Sequence, residues 1–248
     1  MTRKTARFRF FGSLNDFLPP QRREVDFPLD FQGDQSVKHL FESCGAPHTE
    51  VSQVFANGTL VDQNYIVQDG DRIEVHPLTD PFRGQEAGSI SQADPPRFVL
   101  DNHLGKLAAY LRLLGFDVIY RNDLQDEELA HLSSQEGRIL LTRDRRLLMR
   151  TTVTQGYCVR ALLSRQQALE VLQRYDLFSA ITPFGRCVHC NALLQPVHKA
   201  EIIDRLEPLT RRYFNEFQRC PACDQVYWKG SHYDHFQSFI TELLQHSA

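Results

Sequence analysis

Two sets of side chains in this sequence have the types and spacing to hold metal ions. The first is acidic. Asp101 closes the apolar run Phe98-Val99-Leu100, Asp126 heads the cluster Asp126-Glu127-Glu128, and Asp144 follows the apolar run that ends at Thr142. Carboxylate oxygens suit a hard divalent cation such as Mg2+ or Mn2+, which keeps several waters and needs only one or two carboxylates while a substrate phosphate completes its shell. Two such ions, about 3.5–4 Å apart, stabilise the attacking and leaving oxygens of phosphodiester hydrolysis. The second set is sulfur: Cys187-Val188-His189-Cys190 and Cys220-Pro221-Ala222-Cys223. Each Cys-x-x-Cys pair can span adjacent vertices of a tetrahedron, and four sulfur ligands leave Zn2+ no open position, so this site is expected to be structural. Redox use of Cys-x-x-Cys is the competing reading, and two pairs in one segment count against it.

The elements that must position the acids follow from the apolar pattern. Residues 98–100 read as a buried strand that delivers Asp101. Leu104, Leu107, Ala108, Leu111 and Leu114 recur at helical spacing over 103–114, with Lys106 and Arg112 outside that stripe and Gly115 as the stop. Residues 116–120 form a second strand, 125–136 a helix acidic in its first turn, and 138–142 a third strand that ends at Arg143-Asp144. Strands and helices alternating at this spacing imply a parallel sheet, with the carboxyl ends of its strands along one edge. Ligands bind at that edge in open α/β sheets, so the three acids are expected to converge there. Each acid also has a simpler reading. Asp126 could cap its helix, and Asp144 could cap a short helix over 145–149. Asp101 has no local reason of this kind, because an acid closing a buried strand needs a partner. A phosphorylated receiver domain would want an acidic pair after the first strand, where this chain has Asp101-Asn102.

Further along, residues 156–162 offer a fourth strand, Ser164 caps a helix with Ala168, Leu169, Val171 and Leu172 on its apolar side, and Pro183 marks the exit. A helix over 208–217 fills the space between the cysteine pairs. Behind the second pair, Tyr227-Trp228-Lys229-Gly230-Ser231-His232-Tyr233 joins aromatic rings to cationic groups, as single-stranded RNA recognition requires; packing of Trp228 over the zinc core is the alternative. The last helix, over 233–245, carries Phe236, Phe239, Ile240 and Leu243 on one face, and is expected to dock on the α/β domain.

Composition bounds these readings. An apolar fraction of 42% allows an ordinary core, and a net charge of -3 argues against a generally basic coat. Arg143, Arg145, Arg146 and Arg150 nevertheless form a local basic stripe beside Asp144, and Lys106 and Arg143 are candidate phosphate contacts. No apolar run approaches the roughly 18 residues of a membrane helix, and the start MTRKTARFRFFG lacks the long apolar core of a signal peptide, which points to the cytoplasm. Cys44 and Cys158 lie in apolar segments and read as buried small hydrophobes.

The run LDNHLGKLAAYLRLLGFDVIY, followed by DEEL and LLTRDRRLL, resembles the PIN-like RNase module named after the C-terminal part of the mutator-seven exonuclease. The cysteine segment is similar to the tail of the same module. The resemblance implies a metal-dependent ribonuclease with Asp101, Asp126 and Asp144 as Mg2+ or Mn2+ ligands, Asp123 and Glu127 competing for the middle position. Such domains often carry a fourth acid, and none is evident here.

The N-terminal region reads as a hairpin over 7–11 and 24–29, then a helix from Ser36 with Val37, Leu40, Phe41 and Cys44 on one face. Strands over 51–55, 59–61 and 72–76 follow, separated by Asn57-Gly58 and Asp69-Gly70. With Phe55-Ala56-Asn57-Gly58 and Asp69 to Val75, this order of elements resembles the ubiquitin-like β-grasp of sulfur-carrier proteins. Those carriers act through a free C-terminal Gly-Gly, whereas this chain continues through Pro77-Leu78-Thr79-Asp80-Pro81, so the module is read as a binding domain for protein or RNA. The expected organisation is α/β: a β-grasp over 1–79, a Pro- and Gly-containing flexible linker over 80–96, a PIN-like parallel sheet over 97–183, and a zinc ribbon with a C-terminal helix over 184–248. Two functions fit, a ribonuclease for single-stranded RNA and a non-catalytic RNA- or ribosome-binding adaptor.

Overall fold

The computed structural model of the chain describes residues 3–78 and 95–245, and in its last helix leaves the side chains at 231, 232, 234, 235, 244 and 245 undescribed. The expected linker lies outside the described residues as far as 94.

Strand β1 (Arg3–Phe10) turns Ala6, Phe8 and Phe10 inward, and β2 (Phe27–Gln32) pairs with it antiparallel, Phe8 opposite Phe27. Helix α1 (Val37–Ser43) starts where the Ser36 hydroxyl accepts the His39 N–H at 3.2 Å, and buries Val37, Leu40 and Phe41. Strands β3 (Val51–Ala56) and β4 (Thr59–Val61) join through Asn57 and Gly58, whose φ of 52° and 80° supply the pair of left-handed residues that a two-residue hairpin loop needs. Strand β5 (Arg72–Pro77) lies parallel to β1, which completes the order β2-β1-β5-β3-β4 of a β-grasp.

Strand β2 starts later than its alternation suggests. Glu24 takes a left-handed backbone (φ 57°), and its N–H donates to the buried Asn15 Oδ1 at 2.8 Å, while Asn15 Nδ2 donates to Phe10 O and Glu24 Oε1, both at 2.9 Å. One side-chain amide thus takes over the backbone groups of the turn, Val25 is left exposed, and pairing begins at Phe27.

The middle of the chain alternates as expected: β6 (Phe98–Leu100), α2 (Gly105–Leu113), β7 (Val118–Ile119), α3 (Asp126–Glu136), β8 (Ile139–Thr142), α4 (Arg145–Leu148), β9 (Gly156–Cys158) and α5 (Ser164–Arg174). Strand β7 runs parallel to β6, and β9 parallel to β8. Every residue of β6, β8 and β9 is buried, the mark of parallel strands covered on both faces. Helix α2 begins at Gly105 instead of 103, where an added Cβ would stand 2.5 Å from Tyr120 Oη; a 3-10 turn over Asn102–Leu104 precedes it. Strand β9 stops short of 162 because the Glu170 carboxylate takes the next N–H groups, Arg160 at 2.9 Å and Ala161 at 2.8 Å. Helix α5 starts at Ser164 with Leu163 in the cap position, so Ser164 is not its cap.

The last third holds β10 (Gln195–Val197), α6 (Lys199–Ile202), α7 (Pro208–Tyr213), β11 (Phe217–Arg219), β12 (Val226–Trp228) and α8 (Ser231–Gln245). Strands β10, β11 and β12 form an antiparallel ribbon over Ile202, Leu206, Phe217 and Val226. The helix expected over 208–217 ends at Tyr213, since Phe217 is drawn into this small core as the first residue of β11.

By its contacts the chain divides into two units, Met1–Gly84 with Gln125–Cys158, and Gln85–Leu124 with Val159–Ala248. In the first, which also contains α3 and β8, the β-grasp holds β9 and α4: the Glu50 carboxylate accepts the Cys158 N–H at 2.8 Å, and Arg145 Nη1 donates to Phe17 O at 3.0 Å. In the second, α2 packs on α5, and α8 lays Phe239 and Phe236 against Tyr110, with ring centres 5.0 and 6.2 Å away.

Candidate functional site

The four cysteines come together. Their sulfurs all lie within 4.8 Å of one another, with Cys187 and Cys223 3.5 Å apart and Cys190 and Cys220 3.3 Å apart. Zn–S bonds of about 2.3 Å in a tetrahedron place sulfurs about 3.8 Å apart, and the two close pairs lie within tenths of an ångström of that spacing, so four thiols gathered this tightly fit a zinc ion.

Both knuckles are built alike. The Cys187 N–H donates to Ala192 O and Asn191 N–H to Cys187 O; likewise Cys220 N–H to Gln225 O and Asp224 N–H to Cys220 O, all at 2.8–3.0 Å. The closing residues, Asn191 (φ 74°) and Asp224 (φ 66°), are left-handed, and Asn and Asp are the non-glycine types that tolerate this conformation. Burial pushes the Cys187 thiol up, but the Tyr227 hydroxyl at 3.1 Å, the backbone N–H groups of Cys190 and His189, and Cys223 outweigh it and bring it down to about 6. At neutral pH this thiol is therefore poised as a thiolate ligand. Tyr227 also accepts the Val188 N–H at 3.2 Å, so its ring braces the first knuckle.

The sequence pattern put Arg112 on the open side of α2. In the structure it is 4% exposed: Nε and Nη2 donate to Val118 O at 3.1 and 2.9 Å, and Nη1 donates to Val188 O at 3.0 Å and His189 O at 2.9 Å. Burial lowers its pKa, against the opposing pull of Cys187, Cys190 and Asp117. A guanidinium beside two thiolates offsets part of the negative charge that four sulfurs impose on a zinc site. Asn191 ties the same knuckle to β7, accepting the Val118 N–H at 3.0 Å and donating to Asp117 at 2.9 Å. The available signal was position: Arg112 borders the stripe of Leu107, Leu111 and Leu114.

A groove of about 790 Å3 opens between the ribbon and α8, lined among others by Phe184, Val188, Tyr227, Trp228, Tyr233 and Phe236. Trp228 is 40% exposed on its wall, and its ring centre also stands 6.5 Å from that of Phe217 in the small core. Lys229 at the rim pairs with Glu216 at 2.6 Å. The side chain of His232 lies outside the described residues.

The acids sit at element boundaries. Asp101 directly follows β6 and is 6% exposed, and the Leu104 N–H donates to its carbonyl at 2.9 Å. Asp126 is the exposed first residue of α3 and does not cap it. Gln125 does, in a capping box with Glu128. Asp144 does cap α4, its Oδ1 accepting the Arg146 N–H at 2.8 Å, and its own N–H donates to Thr142 Oγ1 at 2.9 Å. Of the competing acids, Asp123 pairs with Arg121 at 3.2 Å and Glu127 is exposed in the first turn of α3. Lys106 and Arg143 are both exposed. Asp126 and Asp144 belong to one unit and Asp101 to the other. Of the remaining thiols, Cys158 is buried and Cys44 half-buried, and burial pushes Cys44 up to about 11.

Residues 96–240 match the family model of the Mut7-C RNAse domain, and residues 3–83 that of the Mut7-C ubiquitin domain. A search of curated proteins returns no match.

Proposed function

Because the chain belongs to the Mut7-C RNAse domain family, whose model spans more than half of it, we propose that it is a ribonuclease that hydrolyses single-stranded RNA with the help of Mg2+ or Mn2+. Family membership carries this reading. Asp101, Asp126 and Asp144 are the residues assigned to hold the cation, and carboxylate oxygens at element ends are the donor chemistry that a hard ion takes. When bound, such an ion lowers the pKa of a water and neutralises charge on the scissile phosphate. Lys106 and Arg143, exposed cations close in sequence to Asp101 and Asp144, are assigned to backbone phosphates. Trp228, on the wall of the groove, is assigned to stack a base, with His232 nearby in sequence as a further RNA contact.

In the same reading zinc is structural. Cys187, Cys190, Cys220 and Cys223 occupy all four positions around it, and it holds the ribbon that presents Trp228. The functional division is a ubiquitin-like module over 1–79, a nuclease domain over 97–183 and the ribbon with its helix over 184–248. The ubiquitin-like module is assigned a protein partner. Among the described residues no helix is long and apolar enough to cross a membrane, and zinc-ligating thiols suit a reducing compartment, so the cytoplasm is the proposed location.

A non-catalytic RNA-binding adaptor is the second reading, favoured by the commitment of Asp144 to capping α4. Cleavage of a labelled single-stranded RNA with added Mn2+, at constant zinc, separates the two. Activity that falls in Asp101→Asn supports the enzyme. Its absence from the wild type, or indifference to that substitution, favours the adaptor.

A further inference from the structure

We propose that the ubiquitin-like module sets the turn that carries Asp144, with Glu50 as the positioning residue. Only the consequence for rate rests on the ribonuclease reading. Glu50 closes the 3-10 turn His48–Glu50 ahead of β3 and is 2% exposed, an expensive place for a carboxylate without polar partners. Its backbone is pinned by the Leu78 N–H, which donates to Glu50 O at 2.8 Å. Its Oε1 accepts the Cys158 N–H at 2.8 Å, at the carboxyl end of β9. Cys158 stands opposite Thr142, the fully buried last residue of β8. The Thr142 hydroxyl accepts the Asp144 N–H, and the Asp144 carboxylate accepts the Arg146 N–H. An unbroken series of hydrogen bonds and strand pairing therefore runs from Glu50 to the Asp144 carboxylate.

Two further ties from the same module bracket this turn. Arg145, the next residue, donates to Phe17 O at 3.0 Å with its guanidinium 5.8 Å from the Phe17 ring centre, and Gly45 leaves room for it, since an added Cβ would lie 3.2 Å from Arg145 Nη1. The His48 ring bridges Val153 O at 2.9 Å and Glu42 at 2.7 Å, which holds the loop between α4 and β9. Asp144 is thus fixed from the strand before it, the residue after it and the loop beyond. The β-grasp is a structural part of the unit that carries Asp144, and the exactness with which this acid is aimed depends on it.

The test uses the full chain with zinc bound. Glu50→Ala removes the acceptor, Glu50→Gln keeps an oxygen for the Cys158 N–H, and Arg145→Met keeps the stem on Phe17 while deleting the bond to its carbonyl. Two readouts are taken: hydrogen exchange at the Cys158 and Arg146 amides, and kcat and KM for single-stranded RNA with Mn2+. Glu50→Ala is expected to lose protection at both amides and about 10²-fold in kcat, the cost of an ångström-scale misplacement, with KM within about twofold. Glu50→Gln is expected to recover both. Unchanged Arg146 protection in Glu50→Ala, or a Glu50→Gln protein as defective as Glu50→Ala, overturns the proposal. Should Glu50→Ala fail to fold, Arg145→Met decides on the same readouts, wild-type protection and kcat counting against the proposal. A wild type that cleaves no RNA refutes the ribonuclease reading, and exchange at Arg146 then decides this inference alone.

Discussion

Arg112 Nη1 donates to the carbonyl oxygen of His189 at 2.9 Å, so a side chain of α2 holds the inner turn of a cysteine knuckle 77 residues further on. The same guanidinium satisfies Val118 O and Val188 O, and therefore joins helix, strand and knuckle. Arg112→Met removes every one of these donors, from the buried Val118 carbonyl and from the less buried carbonyls of Val188 and His189. It should destabilise the unit by on the order of 1–3 kcal/mol for the buried carbonyl left without a partner and weaken zinc about 10- to 100-fold, the usual cost of losing an outer-shell group. Competition with a zinc chelator reads the second effect, and equal affinity in the variant would remove Arg112 from the metal's surroundings. Arg112→Lys should rescue little, because an ammonium cannot reproduce the forked geometry.

Zinc itself should act locally. Structural zinc in small domains is worth on the order of 10–16 kcal/mol, and the core of Ile202, Leu206, Phe217 and Val226 is too small to stand without it. Chelation, or Cys187→Ser, should abolish exchange protection over β10–β12 while the Phe8 and Val54 amides of the β-grasp keep theirs. Loss of protection in the β-grasp would show that zinc stabilises the whole chain cooperatively.

Much of this fold was legible because its signals are local. The helix face of Val37, Leu40 and Phe41, the Asn57-Gly58 turn and the stripe of Leu104 to Leu114 each express a period or a backbone requirement within a few residues. What escaped is held by polar groups acting over distance. Glu24 is turned by Asn15, Arg112 is claimed by carbonyls from β7 and the knuckle, and Phe217 leaves a helical pattern for a core assembled elsewhere. Glu50 carries no local signal of its role, which depends on β9 lying beside it. At the candidate sites the cysteine spacing was sufficient to foretell four thiols brought together. The acids are candidates named from their places at element ends, and no local pattern separates Asp126 from Asp123 or Glu127.

Gly115 closes α2 at φ +101°, and an added Cβ would lie 2.3 Å from Thr182 Oγ1 and 2.4 Å from Thr182 O. Strain and collision with backbone act together here. Gly115→Ala should cost about 1–3 kcal/mol for the overpacking alone, read as a fall in Tm. Gly137→Ala, also left-handed but with nothing within 4 Å, should lose only the smaller backbone share.

Burial raises the Cys44 thiol from 9.0 to about 11, so the native protein keeps it neutral. An acid whose folded pKa is raised adds stability that is fully present below its unfolded value and is lost as pH rises towards the folded one. This stabilisation holds at pH 7 and fades between about 9 and 11. Because the thiolate is the reactive form, alkylation of Cys44 at pH 8 should be roughly a hundredfold slower in the folded protein than in urea. Equal rates, followed by mass spectrometry, would show the thiol open to solvent.

The three acids make opposite predictions with and without a cation. If Asp101, Asp126 and Asp144 share a site, their like charges repel when no ion is bound, and removing one charge relieves that repulsion. With zinc as the only metal supplied, Asp101→Asn or Asp144→Asn should then melt at or above the wild-type temperature. With Mn2+ the order should invert, since an ion that binds only the folded state stabilises in proportion to its affinity, and each substitution lowers that affinity. Cleavage should fall on the order of 10²–10³-fold in the same variants, the scale seen when one charge-stabilising group is removed from an active site. The middle position is assigned by comparison, Asp126→Asn against Asp123→Asn and Glu127→Gln: the ligand is the one whose loss abolishes the Mn2+ shift in Tm. Melting temperatures indifferent to Mn2+ in the wild type would mean that these carboxylates hold no ion, and the chain would then be read as an RNA-binding adaptor.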